Sequence, residues 1–79
     1  MNNAMTKLLN FLCRLEKVKI YYRIEHNRDD SIMVIPDVPG QKWEVEFFAD
    51  GTVEIEIFKS DGKILGESEL DRFFKEYSE

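Results

Sequence analysis

The sequence predicts an α+β fold: an N-terminal helix, a four-stranded antiparallel meander to which a short fifth strand can be added, and a C-terminal helix, with both helices on one face of the sheet. Two observations predict this arrangement. Apolar residues recur with the spacing of an amphipathic helix over the first 17 residues and again near the C-terminus. Between these segments, apolar and polar residues alternate with period two, and turn residues interrupt the alternation.

The first helix is expected over residues 3–17. Its apolar residues are spaced by three, one, three and three positions, which places them on one helical stripe; they are Met5, Leu8, Leu9, Leu12 and Leu15. Cys13 has apolar neighbours, so a packed and unreactive position is expected for it. The period changes to two from Val18 onward, where Val18, Ile20, Tyr22 and Ile24 alternate with other residues. The first strand is therefore expected to begin at Val18.

The second and third strands are expected to be joined by a type II turn at Val38-Pro39-Gly40-Gln41. Proline fixes φ at the second position of such a turn, and glycine supplies the positive φ at the third. A two-residue connection here pairs Val34 with Val45 and Ile32 with Phe47. A slip of one residue would turn the apolar set outward, so parity favours this register.

The same parity argument predicts two further loops. A two-residue loop at Asp50-Gly51 would pair Phe47 with Glu54 and mix the two faces of the sheet. A three-residue loop over residues 49–51, with Gly51 left-handed in a bulge, keeps the faces separate. It pairs Phe47 with Val53, Val45 with Ile55 and Trp43 with Ile57. A three-residue loop over residues 28–30 likewise places Ile24 beside Val34.

The C-terminal segment contains a turn, a short extended piece and a helix. A turn at residues 60–63 leads to Ile64-Leu65, the optional fifth strand at the edge of the sheet. Ser68 and Asp71 form a pair that resembles a capping box, which marks a helix start. The apolar stripe of this second helix is Leu70, Phe73, Phe74 and Tyr77.

The composition limits the class of protein. The chain has 79 residues, a net charge of −5 and 43% hydrophobic residues, which fits one α+β domain over residues 1–79. No nucleic-acid partner is expected, because nucleic-acid binding requires a basic face. The apolar stretch at residues 8–13 is too short for a signal sequence or a membrane span, and Lys7 and Arg14 flank it closely. We therefore expect no membrane partner and a cytoplasmic location.

If both helices cover one face of the sheet, the other face has no remaining element to cover it. We call this second side the open face. It carries glutamates that face one another across strands, and apolar residues beside them, a combination that predicts a basic and partly apolar protein partner. Alternatively, the glutamates only solvate the sheet, and Lys42, Lys59 or Arg23 reach across to neutralise them. Its expected members are Tyr21, Arg23, Glu25, Met33, Ile35, Glu44, Glu46, Phe48, Glu54, Glu56 and Phe58.

Signals for catalysis are sparse, and the sequence predicts that the chain is not an enzyme. The serines lack a nucleophile-elbow context, and the chain has no phosphate-binding glycine loop. We expect no cofactor and no metal, because strand glutamates lack the loop carbonyls of calcium sites. His26 is expected to be half-buried in a packing role. A weaker alternative places a ligand or enzymatic role at His26 and Tyr22.

Three stretches of the chain resemble a group of short, acidic, uncharacterised bacterial proteins: IYYRIEHNRDDSIMV, VPGQKWEVEFFADGTVEIEIF and SDGKI. The resemblance covers most of the chain and rests on RDDSIMV, VPG, WEVEF, DG and an alternating glutamate strand. In size, acidity and α+β composition the chain is also similar to immunity proteins, which neutralise basic toxin enzymes.

Two functional hypotheses follow. The first is an immunity-like or inhibitor-like binding module that docks a basic protein through Glu44, Glu46, Glu54 and Glu56, together with Met33, Ile35, Phe48 and Phe58. The second is a structural protein of unknown function that associates with itself, either through the apolar residues of the open face or by pairing of an edge strand.

Overall fold

The computed structural model describes residues 3–58, 64–67 and 69–77, with the backbone alone for residues 64, 65, 69 and 77. The described residues form two helices and one five-stranded antiparallel sheet, whose strands lie side by side in chain order. The α+β class and the meander are therefore confirmed, and the optional fifth strand is present. The elements are α1 (Asn3–Lys17), β1 (Tyr22–Arg28), β2 (Ser31–Pro36), β3 (Lys42–Phe48), β4 (Val53–Phe58), β5 (Ile64–Leu65) and α2 (Glu69–Tyr77).

The strand register matches the one predicted from parity. Val34 lies opposite Val45 and Ile32 opposite Phe47 between β2 and β3. Between β3 and β4, the pairs are Phe47 with Val53, Val45 with Ile55 and Trp43 with Ile57. Since side chains alternate between faces, this register places these eight apolar residues on one face of the sheet.

Glycines with positive φ make the two predicted turns possible. Gly40 has φ of 79° and Gly51 has φ of 92°, values that favour glycine over residues with a Cβ atom. In the β3–β4 loop, the Gly51 amide donates to the Phe48 carbonyl at 2.9 Å, and the Phe48 amide donates to the Thr52 carbonyl at 2.9 Å. The three-residue loop is confirmed. Asp50 accepts a hydrogen bond from the Thr52 amide at 2.9 Å, and this bond lowers the pKa of the Asp50 carboxyl.

The first strand begins at Tyr22, so its predicted start at Val18 was wrong. The chain first closes α1 with a Schellman motif: the Ile20 amide donates to the Leu15 carbonyl at 2.9 Å, and the Lys19 amide donates to the Glu16 carbonyl at 3.1 Å. Lys19 adopts the left-handed conformation of this motif, with φ of 64°. The alternation at residues 18–20 therefore belongs to a helix C-terminus that returns Val18 and Ile20 to the core.

The β1–β2 connection also differs in detail from the prediction. Ile24 lies opposite Val34 as expected, but Arg28 pairs with Ser31, and the register shifts between Glu25 and Arg28. The loop consequently has two residues, Asp29 and Asp30, and the third predicted loop residue is absorbed in an irregularity of β1. A bulge of this kind adds one residue to one strand and so shifts the register by one residue beyond it.

Both helices pack on the same face of the sheet through aromatic side chains. The ring centroid of Phe11 on α1 lies 5.6 Å from that of Phe47, and Phe73 on α2 lies 4.8 Å from Trp43. The two helices also meet, since the centroids of Phe11 and Phe74 are 5.6 Å apart. Such tilted and edge-to-face contacts are the favoured geometries of aromatic pairs. The buried core consists of Phe11, Leu15, Val34, Val38, Trp43, Val45, Phe47, Val53, Ile55, Phe73 and Phe74.

Coverage by the helices reaches Tyr22 at the start of β1 but not Ile24. Ile24 has the parity of the core face, yet it is 51% exposed, because β1 is the strand at one edge of the sheet. Cys13 is exposed as well, so its expected packed position was wrong, although Phe11 and Leu15, two positions away on either side in the sequence, are buried.

The C-terminal predictions are only partly within the described residues. Phe73 and Phe74 are buried as expected, and Leu70 packs against the core. The turn at residues 60–63, the Ser68 cap and the side chain of Tyr77 lie outside the description. Within the described segments, no helix has the length and apolar character needed to cross a membrane.

Candidate functional site

The open face is the side of the sheet away from both helices. Phe11, Phe73 and Phe74 of the helices pack with odd-numbered residues of β3 and β4, so the even-numbered residues of these strands point to the other side. Among the described elements, no helix or strand lies over that side. Besides the predicted members, Ser31 and Lys42 also project onto it, since they lie opposite Phe48 and Phe58.

The predicted glutamate pairs are present on this face. Glu44 lies directly opposite Glu56, and Glu46 directly opposite Glu54. Like charges in opposite positions of a sheet are destabilising, on a scale of about 0.2–1 kcal/mol for each pair. The folded chain therefore tolerates an electrostatic cost in the centre of its sheet.

The open face is less exposed than the sequence suggested. Glu46 is only 7% exposed and Ile35 is also 7% exposed, so the expectation that both are available to a partner was wrong. Both residues lie on inner strands, where neighbours on two sides shield a side chain without any covering element. Ile35, for example, has Arg23 directly opposite on β1. The remaining members form a surface whose apolar part is interrupted at Ile35.

Glu46 is held by two neighbours that sequence reasoning did not identify. The Ser31 hydroxyl donates to the Glu46 carboxylate at 2.6 Å, and the Arg28 Nε atom lies 3.5 Å from the same oxygen. Arg28 also lies over the Phe48 ring, 5.6 Å from its centroid, a cation–π geometry. Ser31 could have been found from the predicted register, because it is the diagonal neighbour of Glu46 on the same face. Arg28 could not have been identified in this way, because its placement depends on the irregularity in β1.

Lys42 compensates a second glutamate. Its Nζ atom lies 3.4 Å from Glu44 and 5.8 Å from the centroid of the Phe58 ring. Lys42 therefore neutralises a glutamate, as the alternative expects, but the two residues lie on the same strand and not across the face. Arg23 likewise contacts Glu25 on its own strand at 3.4 Å, and Lys59 lies outside the described residues.

Glu54 and Glu56 form the uncompensated part of the open face. No ion pair or hydrogen bond connects either carboxylate to another side chain in the described part of the chain. Glu54 is exposed and Glu56 is half-buried. Phe58, which follows them on β4, is 45% exposed, and Met33 is half-buried. Two anionic groups and two apolar side chains thus remain available for contact.

The glutamates of the open face do not surround a pocket of small-molecule size. They line a cleft of about 70 Å³ together with Arg28 and Met33, well below the roughly 300–1,000 Å³ of small-molecule pockets. The other end of the face, at Tyr21 and Arg23, borders a hollow of about 440 Å³. Across the described residues, no group of three or more His, Cys, Asp or Glu side chains is arranged to hold a metal ion.

His26 and Tyr22 do not form a common site. His26 is exposed rather than half-buried, so its expected packing role was wrong. It lines a hollow of about 230 Å³ beside Met5 and Leu8, whereas Tyr22 lines a different hollow beside Asp37. The Tyr22 hydroxyl donates to Glu16 at 2.5 Å, and this hydrogen bond raises the pKa of the Tyr22 phenol.

Comparisons with protein-family models, with curated proteins and with solved structures give no match for this chain.

Proposed function

We propose that this chain is a protein-binding module that docks a basic, partly apolar surface of another protein onto its open face. The observation that carries the proposal is the pair Glu54 and Glu56 on β4: each faces a like-charged residue across the sheet, and neither is compensated by a described side chain. A partner with lysine or arginine side chains would relieve this repulsion. The electrostatic repulsion that destabilises the free chain would then be relieved on binding and would favour the complex.

The exposed aromatic residues at the end of the face complement this charge. Phe58 is 45% exposed and Tyr21 is 83% exposed. Aromatic side chains are enriched among the interface residues that contribute most to the binding free energy. Met33 adds a flexible apolar contact. By contrast, Glu46 and Ile35 are nearly inaccessible, so they lie beneath this surface and are not proposed to contact the partner. The contact residues of the proposal are therefore Glu44, Glu54, Glu56, Met33, Phe48 and Phe58, with Tyr21 added.

An inhibitor-like role, as in immunity proteins, is the form of this function that agrees best with the acidity of the chain. A net charge of −5 over 79 residues attracts a basic partner over a distance and accelerates association. The cytoplasm is the proposed location, and membership of the short acidic bacterial group is part of the same proposal. Catalysis has no role in it.

Charge reversal at matched positions tests the proposal. The chain serves as bait, bound proteins are eluted with salt, and calorimetry then measures the affinity of each candidate. Glu54→Lys is expected to weaken binding by about tenfold or more. The matched control is Glu76→Lys, on an exposed position of α2, which changes the net charge equally and should alter affinity by less than about twofold.

Equal losses in the two variants would mean that only the overall field attracts the partner, and would overturn docking at the open face. The same conclusion would follow if no captured protein showed salt-sensitive binding. Glu46 is unsuitable for this test, because its burial makes the fold itself sensitive to substitution.

A further inference from the structure

The outer edge of β1 carries unpaired backbone groups. β1 is the first strand of the sheet order and pairs only with β2 among the described strands. The Asp37 amide donates to the Tyr21 carbonyl at 2.8 Å, so Tyr21 directs its backbone groups toward β2. In an antiparallel pair, successive residues direct these groups to opposite sides. Tyr22 and Ile24 therefore direct their amides and carbonyls to the outer edge.

The side chains of this edge alternate between an apolar residue and charges of opposite sign. Ile24 is 51% exposed, which is unusual for a residue with core parity. Arg23 and Glu25 flank it on the open face and contact each other at 3.4 Å. This edge has a positive residue before its central apolar residue and a negative residue after it. A strand with this order is complementary to its own antiparallel copy.

We infer that β1 pairs with β1 of a second copy of this chain, antiparallel and with the two-fold axis at Ile24. In this register, Ile24 lies opposite the Ile24 of the other copy, and the two exchange backbone hydrogen bonds. Arg23 lies opposite Glu25 of the other copy, and Glu25 opposite its Arg23. The interface as a whole thus has one apolar contact and two opposite-charge contacts.

Neighbouring registers lack this complementarity. A two-fold axis at Arg23 would place the two copies of Arg23 opposite one another. An axis at Glu25 would place the two copies of Glu25 opposite one another, so both registers bring like charges together. Edge strands are usually protected from pairing by charges, and such protection works when self-pairing brings like charges together. Here the order of the charges favours the register centred at Ile24 over those centred at Arg23 and Glu25. The irregularity between Glu25 and Arg28 limits the pairing to about five residues on each copy.

The assembly would extend the sheet without covering the proposed binding surface. A two-fold axis perpendicular to the sheet keeps equivalent faces on the same side, so all four helices would lie on one side of a ten-stranded sheet, twice the five strands of one copy. Both open faces would lie on the other side. Dimerisation would therefore present two acidic surfaces to one partner or to two.

Sedimentation velocity over a range of concentrations tests the inference. The unaltered chain is expected to show a monomer–dimer equilibrium. Glu25→Arg should weaken the dimer by about tenfold, because Arg23 then faces arginine on both sides of the axis. The double variant Arg23→Glu with Glu25→Arg should restore the original dimer, since it exchanges the charges of both copies. Circular dichroism confirms that each variant is folded.

A cross-link tests the position of the axis. Opposite hydrogen-bonded residues have Cα atoms about 5.5 Å apart, within the range of disulfides. In a Cys13→Ser background, needed because Cys13 is exposed, Ile24→Cys should form a covalent dimer on oxidation, and Arg23→Cys should form about tenfold less. A chain that stays monomeric at millimolar concentration, a dimer that Glu25→Arg leaves unchanged, or equal cross-linking at both positions would overturn the inference.

Discussion

The hydrogen bond from Ser31 to Glu46 is expected to stabilise the fold more than the other polar contacts of the open face. Ser31 is 5% exposed and Glu46 is 7% exposed, and the donor–acceptor distance is 2.6 Å. Loss of a hydrogen bond to a charged group costs about 1.5–3 kcal/mol, because the carboxylate stays desolvated after its partner is removed. The other contact of Glu46, with Arg28, involves a side chain that is 61% exposed, and exposed ion pairs contribute about 0–1 kcal/mol.

Ser31→Ala is therefore expected to lower the free energy of unfolding by about 2 kcal/mol. In a domain of this size this corresponds to a decrease in Tm of about 8–16 °C. With a urea dependence near 1 kcal/mol per molar, the unfolding midpoint should fall by about 2 M. Trp43, the single tryptophan of the sequence, is 1% exposed and supplies the fluorescence signal.

Two controls separate this hydrogen bond from general damage to the sheet. Arg28→Ala should lower the free energy of unfolding by less than about 1 kcal/mol. In a Glu46→Gln background, Ser31→Ala should lower the free energy of unfolding by less than it does in the unaltered chain, because the hydrogen bond is then between neutral groups. Equal losses for Ser31→Ala and Arg28→Ala, or the same loss in both backgrounds, would refute the reasoning.

Three further predictions concern the turns and the core. Lys19→Gly should raise the free energy of unfolding by about 0.5–1 kcal/mol relative to Lys19→Ala, because Lys19 has φ of 64° and only glycine adopts that conformation without strain; urea titration of both variants measures this. The stabilising hydrogen bond of Asp50 should be present above its unfolded-state pKa near 3.8 and be lost as pH falls through the lower folded-state pKa. Asp50→Ala should accordingly lose stability at pH 7 and match the unaltered chain in strong acid, as followed by thermal melts. Phe73→Ala should lower the free energy of unfolding by about 3–5 kcal/mol, because Phe73 is 0% exposed, whereas Lys75→Ala on the same helix should change it by less than about 0.5 kcal/mol.

The strand register could be predicted from the sequence because two independent signals agree on it. The period of two assigns each residue to a face, and the glycines at 40 and 51 restrict the loops to lengths that keep the faces separate. The pairing of Glu44 with Glu56 follows from these signals alone. Only one face of a meander can be apolar in a chain with this pattern, so the common side of both helices was predictable as well.

The exposure of individual residues could not be predicted in the same way. Parity states which side a residue faces, but burial depends on how far the helices reach and on the side chains beside it. Ile24 is exposed because it lies on an edge strand, and Glu46 is buried because Ser31, Arg28 and the inner strands surround it. The start of β1 was also missed, because a Schellman motif with lysine in the left-handed position lacks the glycine that usually marks it.

The order of the strands has a consequence for the folding pathway. Every strand pairs with its neighbour along the chain, so the sheet can grow hairpin by hairpin through short loop closures. Contacts between Phe11 and Phe74, in contrast, join segments at opposite ends of the sequence and can form only when the meander already holds them close. Substitutions in the β3–β4 hairpin should thus slow refolding, whereas truncation of Phe74 should mainly accelerate unfolding.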